Sequence, residues 1–433
     1  MDIVSILLVF SFILLITSFV NQKVAAALNV AFFILIPYTF TLQPFGIPFS
    51  VKYLCVFVYL FLQISIYRNK ISITPIKPFI ILYISLLILI PFQTGVPHEH
   101  QIGAWLRYSL PVIIFPFILW DGSQKESSYL KYYHIVLVVS TIIACIYGII
   151  CTFVLDGDNP YQMILNVSQA RDMNSDWYFD TDRIFGRSQS TFSYPLTWGA
   201  FLVLAFSCFF ILSIKSKKYS SYLYYFIVIL ILINAVICGV RSCFLSIFIY
   251  IVLYLVLSKK IKILITGVCS IGLIFVIIAF VKPELIDFTL SVFDPSSKGV
   301  EGSSLEMRIR QFLGCFDIIK DNLLFGQGFS YVDYYSNNYG LHPVLYGFES
   351  VIYSILCESG IIGAVIWVIF YINLLKLNRK LLQKEDIFLF DIFVITYFCY
   401  TLFTGSYFFM QYFSMICIYL LTYFANRYKN QFI

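Results

Sequence analysis

The composition of this 433-residue chain excludes a soluble protein, because 60% of its residues are hydrophobic and only 12% are charged. A soluble domain is roughly half apolar and a quarter charged. The net charge of +6 gives no reason to expect a nucleic-acid partner, since most basic residues lie in short stretches between long apolar runs. The cysteines contain no CxxC pair and no Cys/His spacing of a metal site. The sequence therefore predicts an all-α integral membrane protein.

Apolar runs long enough to cross a bilayer recur along the whole chain. They lie near residues 3–20, 24–41, 48–66, 79–93, 101–120, 134–155, 196–214, 222–240, 242–258, 263–281, 351–375, 387–404 and 406–424. We therefore predict about 13 transmembrane helices, within a range of 12–14. The first run carries Asp2 where a secretory signal has basic residues, so we interpret it as a span.

The predicted spans divide the chain into five parts. About six spans occupy residues 1–155, the central spans occupy 196–281, and the C-terminal spans occupy 351–433. Two long polar loops separate them, at 156–195 and 282–350, and loops of this length are usually functional.

The second long loop contains a predicted amphipathic helix around residues 304–320. Apolar side chains recur there at helical spacing, and we expect the helix to lie on the membrane surface. These side chains are Leu305, Ile309, Phe312, Leu313 and Phe316.

Basic residues predict the orientation of the chain in the membrane. Alternate connections hold 18 of the 29 basic residues, mostly lysines, which predicts that these connections are cytoplasmic. The N-terminus is then outside and the C-terminus inside. Seven of the ten arginines fall on the other, external side. Arginine is preferred where a planar fork must hold phosphate or carboxylate, so the external side is predicted to handle an anion.

Arg187 and Arg241 are the main catalytic candidates among these arginines. Arg187 lies with Arg183 in the first long loop, in a polar segment just before a span, where contact with lipid headgroups is the alternative. Arg241 lies between two near-continuous apolar runs. An ionisable group embedded in this way is costly and indicates function. The alternative is a tight external turn from which the arginine snorkels to the interface.

Arg308 and Arg310 are further candidates for binding an anion, on the predicted amphipathic helix. Residues two apart on a helix do not share a face, so at most one of them would point at a common site. A solvated helix face is the alternative for either one.

Three other features of the second loop complete the candidate site. The turn at Gly326 and Gly328 can bring backbone amides close to an anion, although a plain turn is the alternative. His342 is a lone external histidine. Glu349 begins the next span and is a candidate general base or a helix N-terminal acid.

No metal or other cofactor is predicted. The external acids form no tight carboxylate pair facing a histidine, and the His98-Glu99-His100 segment has too few ligands for a metal site. An external arginine cluster with one carboxylate instead suits an anionic substrate embedded in the membrane, such as a glycan linked to polyprenyl diphosphate.

At these residues the chain resembles the superfamily of O-antigen ligases and Wzy-type polymerases. Four segments carry the resemblance, over about residues 183–375. They are GRSQSTFSYPLTWGAFL at 186–202, Gly239-Val240-Arg241-Ser242, the stretch 308–328 that ends in Phe-Gly-Gln-Gly, and ESVIYSILCESGIIG at 349–363. Ligases of this superfamily resemble one another in a histidine at the head of the last motif, where this chain has Glu349.

The resemblance implies a membrane glycosyltransferase that uses no nucleotide sugar and no metal. Glu349 in place of the histidine favours a polymerase, which transfers a growing glycan from undecaprenyl diphosphate to an incoming lipid-linked repeat unit. The expected partners are the donor and acceptor lipid-linked oligosaccharides, membrane lipid and a chain-length-regulating membrane protein. The arginines would neutralise the leaving diphosphate and Glu349 would accept or orient the acceptor hydroxyl.

Two other functions stay open from the sequence. One is an O-antigen ligase that moves glycan to the lipid A core or to a protein. The other is a flippase for lipid-linked oligosaccharides, which would need charged residues deep in the spans, where Arg107 and Glu358 are the main candidates.

Overall fold

The computed structural model describes residues 3–36, 58–62, 71–162, 188–216, 218–260, 262, 305–340, 342–345, 350–405 and 409–429. Within these ranges the regular elements are all helices, which confirms the all-α prediction. Arg183, Arg187 and Glu349 lie outside the described residues.

The helices follow the predicted apolar runs closely. In chain order they are α1 (Ile3–Val20), α2 (Gln22–Leu35), α3 (Lys77–Leu89), α4 (His98–Lys125), α5 (Ser128–Phe153), α6 (Pro195–Lys215), α7 (Lys218–Cys238), α8 (Arg241–Leu257), α9 (Leu305–Ile319), α10 (Tyr331–Tyr339), α11 (Val351–Leu381), α12 (Lys384–Phe403) and α13 (Phe409–Lys429). Short 3₁₀ turns at Thr74–Ile76 and Ile90–Phe92 flank α3, and a third at Lys320–Asn322 follows α9.

Seven helical segments in the described part are long and apolar enough to span a membrane. They are Thr74–Phe92, His98–Lys125, Ser128–Phe153, Pro195–Lys215, Tyr219–Cys238, Val351–Leu381 and Lys384–Phe403. The apolar helices α2 and α8 are shorter. The predicted span at 263–281 lies outside the described residues, as does most of the one at 48–66. The total of about 13 spans therefore stays a prediction.

Helix α6 lies at the centre of the bundle. Its apolar window is 89% buried, and it packs against α7, α8, α12 and α13. A helix that is hydrophobic all round is expected to be buried in this way. Because α6 begins at Pro195, directly after the first long loop, it fixes the position of that loop's end within the bundle.

One end of the bundle carries the predicted cytoplasmic lysines, and we call it the lysine end. There Lys23 pairs with Glu126, and Lys215 Nζ lies 2.5 Å from Asp386 Oδ1. These pairs join connections that the basic-residue pattern assigns to the same side of the membrane. The opposite end, where α6, α8 and α11 begin, is called the arginine end.

The predicted amphipathic helix is confirmed as α9. Its predicted apolar side chains Ile309, Phe312, Leu313 and Phe316 are exposed, and the helix packs against α11, where the Phe312 ring lies 6.0 Å from that of Tyr353. The exposed apolar stripe is available to lipid, as expected for a helix at a membrane surface.

Candidate functional site

Arg241 is the first residue of α8, at the arginine end. Val240 precedes it with extended backbone angles and no side-chain cap, so helical geometry starts at the arginine. The first amides of a helix have no partner within the helix and carry the positive end of its dipole. Helix α8 therefore places a guanidinium and a positive helix end at the same point.

Tyr400, near the C-terminal end of α12, contacts the starts of both α6 and α8. Its hydroxyl donates a 2.9 Å hydrogen bond to the Leu196 carbonyl at the start of α6, and it also interacts with the side chain of Ser242 on α8. A Cβ at Gly199 would lie 3.3 Å from Val240 and 3.4 Å from the Tyr400 hydroxyl, so glycine permits this close approach. The starts of α6 and α8 thus meet around one buried tyrosine.

The start of α11 is attached to the same cluster. Ser350 caps this helix by accepting a hydrogen bond from the Ile352 amide, and its hydroxyl donates to the Thr401 carbonyl, one residue after Tyr400. Glu349, the residue before Ser350, is outside the described part. Three helix N-termini, those of α6, α8 and α11, therefore converge at the arginine end. Such termini are suited to binding phosphate groups.

The end of the first long loop, residues 188–193, is buried inside the bundle rather than exposed as a loop. The Ser188 amide donates to the Ile237 carbonyl at 3.1 Å, which joins the residue after Arg187 to the helix end before Arg241. The Ser190 hydroxyl donates to the Ala144 carbonyl at 2.6 Å. Ala144 lies nine residues before the C-terminal end of α5, roughly 13 Å along the helix axis. Non-helical backbone at membrane depth is tolerated where protein covers it.

Arg308 and Arg310 differ in position, as the helical spacing predicts. Arg308 is half-buried and lies on the α9 face that carries the buried Gln311 and Cys315, whereas Arg310 is exposed. The Gln311 amide donates to the Leu345 carbonyl at 3.1 Å, four residues before Glu349. Of the two arginines, Arg308 is therefore the one on the face that approaches the start of α11.

The Gly326-Gln327-Gly328 turn is bound to an interruption in α11 at Gly360, whose φ is +61°. The Gln327 and Gly328 amides donate to the Cys357 and Glu358 carbonyls at 2.8 and 3.0 Å. The Ile361 and Ile362 amides in turn donate to carbonyls in residues 323–324. The broken helix and the turn therefore satisfy each other's backbone groups.

The next two amides after this turn also have protein acceptors. The Phe329 amide donates to Gln101 of α4, and the Ser330 amide donates to the buried Glu358 carboxylate at 2.9 Å. These amides are engaged within the protein, so the turn stabilises the α11 break, and the plain-turn alternative fits the structure better than a phosphate cradle. Glu358 serves the same junction.

His342 is buried and supports a turn of the second loop. Its Nδ1 accepts hydrogen bonds from the Val344 and Leu345 amides at 3.2 and 3.1 Å, and its ring packs 4.6 Å from the Tyr335 ring. Accepting at Nδ1 requires the neutral ring with its proton on Nε2. The structure thus shows a structural role for His342, and its predicted role in binding the substrate stays a prediction.

Acid should loosen this turn. Burial lowers the pKa of His342 below its ordinary value of about 6.5, so the unfolded turn binds a proton more readily than the folded one. The stability contributed by the neutral ring is full above pH 6.5 and is lost as the pH falls through the lowered pKa. Hydrogen exchange of the Val344 and Leu345 amides should therefore accelerate on acidification beyond its intrinsic pH dependence. His342→Asn should remove that extra acceleration, and an unchanged profile in this variant would contradict the assignment.

The described residues contain no group of three or more His, Cys, Asp or Glu side chains placed to hold a metal ion. The described groups at the arginine end include the Arg241 cation, helix N-termini and buried hydroxyl groups.

Residues 226–368 match the family model described as O-antigen ligase. The match covers about a third of the chain, begins within α7 and ends within α11, and so includes Arg241, α9 and the break at Gly360. It supports the ligase and polymerase superfamily and a polysaccharide-related, glycosyltransferase-like membrane enzyme, without separating polymerase from ligase. A search of curated proteins finds no match to the chain.

Proposed function

We propose that the protein is a polysaccharide polymerase, for O-antigen or capsule, at the outer face of the bacterial plasma membrane. It transfers a growing glycan from undecaprenyl diphosphate to the non-reducing end of an incoming lipid-linked repeat unit. The observation that carries the proposal is the convergence of three helix N-termini with Arg241 at the arginine end, inside the region that matches the family model.

The proposed reaction separates charge at the donor diphosphate. The bond between the anomeric carbon and the diphosphate oxygen breaks, and its electron pair leaves with the diphosphate. The acceptor hydroxyl oxygen forms the new bond to that carbon, and its proton passes to Glu349. Arg241, Arg187 and Arg308 stabilise the developing negative charge, with the helix N-termini adding to it.

Two features of the described structure support this assignment of roles. Ser188, the residue after Arg187 in the chain, is hydrogen-bonded to the helix end before Arg241. Gln311 links the Arg308 face of α9 to Leu345, and Ser350 links the start of α11 to α12. These contacts support a single site in which Arg241 and Arg308 act together with Arg187 and Glu349.

A deletion strain tests the reaction. A polymerase mutant should display surface glycan carrying one repeat unit with no ladder, because attachment proceeds without elongation. Glycan of normal length that stays on undecaprenyl diphosphate would instead identify a ligase. Single repeat units retained on the cytoplasmic side would identify a flippase, and either result would contradict the polymerase.

The two arginines of α9 provide a matched comparison. Arg308→Ala should shorten the glycan ladder and slow polymerisation by at least about tenfold more than Arg310→Ala, since only Arg308 lies on the face towards α11. The ladder is read on gels of the complemented deletion strain, with the amount of each variant in the membrane fraction measured alongside. Equal effects of the two substitutions would remove Arg308 from the proposed site.

A further inference from the structure

Cys315 of α9 and Cys357 of α11 lie against each other. Both side chains are fully buried, both are thiols in the structure, and the two interact directly. The Cys315 sulfur also lies 3.8 Å from the Tyr353 carbonyl oxygen, which is the acceptor that a regular helix offers to the Cys357 amide. Cys315 therefore faces the turn of α11 that ends at Cys357.

A neighbouring ring contact holds the two helices in the same register. The rings of Phe312 and Tyr353 lie 6.0 Å apart, one turn before the two cysteines on their respective helices. Side chains three or four residues apart are neighbours on a helix surface. The packing of α9 on α11 therefore places Cys315 beside Cys357, and the contact does not depend on one flexible side chain.

The apolar cluster beneath α9 is small and separate from the main core of the bundle. Its buried members are Cys315, Val332, Leu345, Leu356 and Cys357. Within the described part of the chain α9 packs mainly against α11, and its apolar stripe stays exposed. Small units outside the cytoplasm that cannot build a large hydrophobic core are commonly held by disulfides.

The predicted orientation puts this contact on the external side. Cys315 belongs to the second long loop, and Cys357 lies only six residues, roughly 9 Å, from the start of α11. Disulfides form in oxidising compartments, which include the space outside the bacterial plasma membrane. Two thiols in contact there are therefore in the right place to be oxidised together.

Cys238 and Cys243 make a second contact between cysteines and serve as a comparison. The Cys238 thiol donates a 3.2 Å hydrogen bond to the Pro195 carbonyl, a closer partner than the one at 3.8 Å from Cys315. Cys238 therefore has a firm interaction as a thiol, and the geometry favours Cys315 and Cys357 as the pair that is oxidised.

We propose that Cys315 and Cys357 are joined by a disulfide bond that fastens α9 to α11. The oxidant is the disulfide of a thioredoxin-like oxidoreductase at the outer face. One thiolate of this chain attacks that disulfide, which forms a mixed disulfide and releases one thiolate of the oxidoreductase. The second thiolate attacks the mixed disulfide at this chain's sulfur, which forms the new bond and releases the other oxidoreductase thiolate. The two protons from this chain end on the oxidoreductase, which has gained two electrons.

The bond would also position a proposed substrate-binding residue. Arg308 lies seven residues before Cys315, two helical turns along the same face of α9. Fastening Cys315 to α11 therefore holds the face that carries Arg308 towards the start of α11. Because both sulfurs are buried, the exchange precedes the closing of α9 on α11, and the finished bond is shielded from reductants. The inference rests on the predicted external position of α9 and is independent of the proposed polymerisation.

The test counts thiols on the full-length protein by mass spectrometry. The protein is made in a bacterial host that oxidises thiols outside its plasma membrane, purified without reductant, and denatured in excess iodoacetamide. The wild-type protein should take up two more alkyl groups when it is reduced first, and its unreduced digest should contain peptides linked through Cys315 and Cys357. Cys315→Ser should abolish the difference. Cys145→Ala removes a buried cysteine of α5, so it is the matched control and should keep the difference.

The count is made on denatured chains, so it does not require the variants to fold. Thermal unfolding of the native protein adds a readout of the bond itself. Reductant should lower the Tm of the wild-type protein, because a cross-link between α9 and α11 is lost. The Tm of Cys315→Ser should be the same with and without reductant.

Three results would overturn the inference. These are equal uptake before and after reduction in the wild-type protein, a difference of two that persists in Cys315→Ser, and linked peptides that join Cys238 to Cys243 in place of the proposed pair. A protein that carries the Cys315–Cys357 bond but makes no polymer would contradict the proposed function and leave the disulfide standing.

Discussion

Replacing Arg241 with alanine should abolish the glycan ladder in a complemented deletion strain. The arginine contributes a fixed cation at the start of α8, where the leaving diphosphate is proposed to sit, and no other described side chain of that helix's first turn is basic. Removing one preorganised donor from such a site costs about 10²–10³ in rate. We therefore expect polymerisation by the purified protein to fall at least about 100-fold.

Lysine at position 241 distinguishes the effect of the positive charge from that of the guanidinium geometry. Arg241→Lys keeps a cation but loses the planar fork that holds two phosphate oxygens, so an intermediate rate is expected. Alanine and lysine are both good helix formers, so α8 should persist in either variant. Thermal unfolding of the purified variants checks this point, and Arg379→Ala serves as the control for loss of an arginine. A normal ladder from Arg241→Ala together with Glu349→Gln would remove both residues from the proposed mechanism.

Gly326→Ala should prevent the protein from reaching its native fold. The φ of Gly326 is +73°, and a Cβ there would lie 2.6 Å from the Gly360 nitrogen and 2.7 Å from the Glu358 carbonyl carbon. Both atoms belong to the backbone of the α11 break, so neither moves without breaking the hydrogen bonds that join α11 to the turn. We expect a loss of at least about 3 kcal/mol, from left-handed strain and overpacking together, seen as a lower Tm and a lower yield of folded protein.

Gly340→Ala is the matched control for backbone strain. Gly340 has a φ of +85°, but a Cβ there meets nothing within 4 Å. With ψ at −167°, this backbone conformation is essentially restricted to glycine, and it alone should cost about 1–3 kcal/mol. Equal losses of stability in the two variants would show that strain, and not the contact with α11, limits position 326.

The helical frame could be predicted from sequence because the signal is local. Apolar runs of about 20 residues identify the spans without any knowledge of their neighbours. The helix α9 was also predictable, and so was the divergence of Arg308 and Arg310, since both follow from the 3.6-residue period. Arg241 could be singled out because a charge between two apolar runs is rare.

The hydrogen-bond partners of the site residues could not be predicted from the sequence. The residues at 188–193 are mostly serine, threonine and glutamine, which suggested an exposed loop, yet carbonyl groups of α5 and α2 accept their hydrogen bonds inside the bundle. Tyr400 looked like one more aromatic in an apolar run. Only the approach of α6 and α8 makes it a junction.

The break in α11 was likewise not predicted. The run after residue 350 is apolar enough for one continuous helix, and a glycine alone does not interrupt a helix. The interruption depends on residues 323–328, more than thirty positions earlier, which supply the hydrogen bonds that a regular helix would have made for itself. A pairing across that distance leaves no periodic trace in the sequence.

The hydrogen bonds at the α11 break also constrain how the chain can vary in length. Residues 323–324 are paired with 361–362, and residues 327–328 with 357–358, so the spacing within each partner is fixed by the other. A single insertion or deletion in either stretch would put every later bond out of register. Natural insertions and deletions in relatives should therefore be absent from the paired stretches.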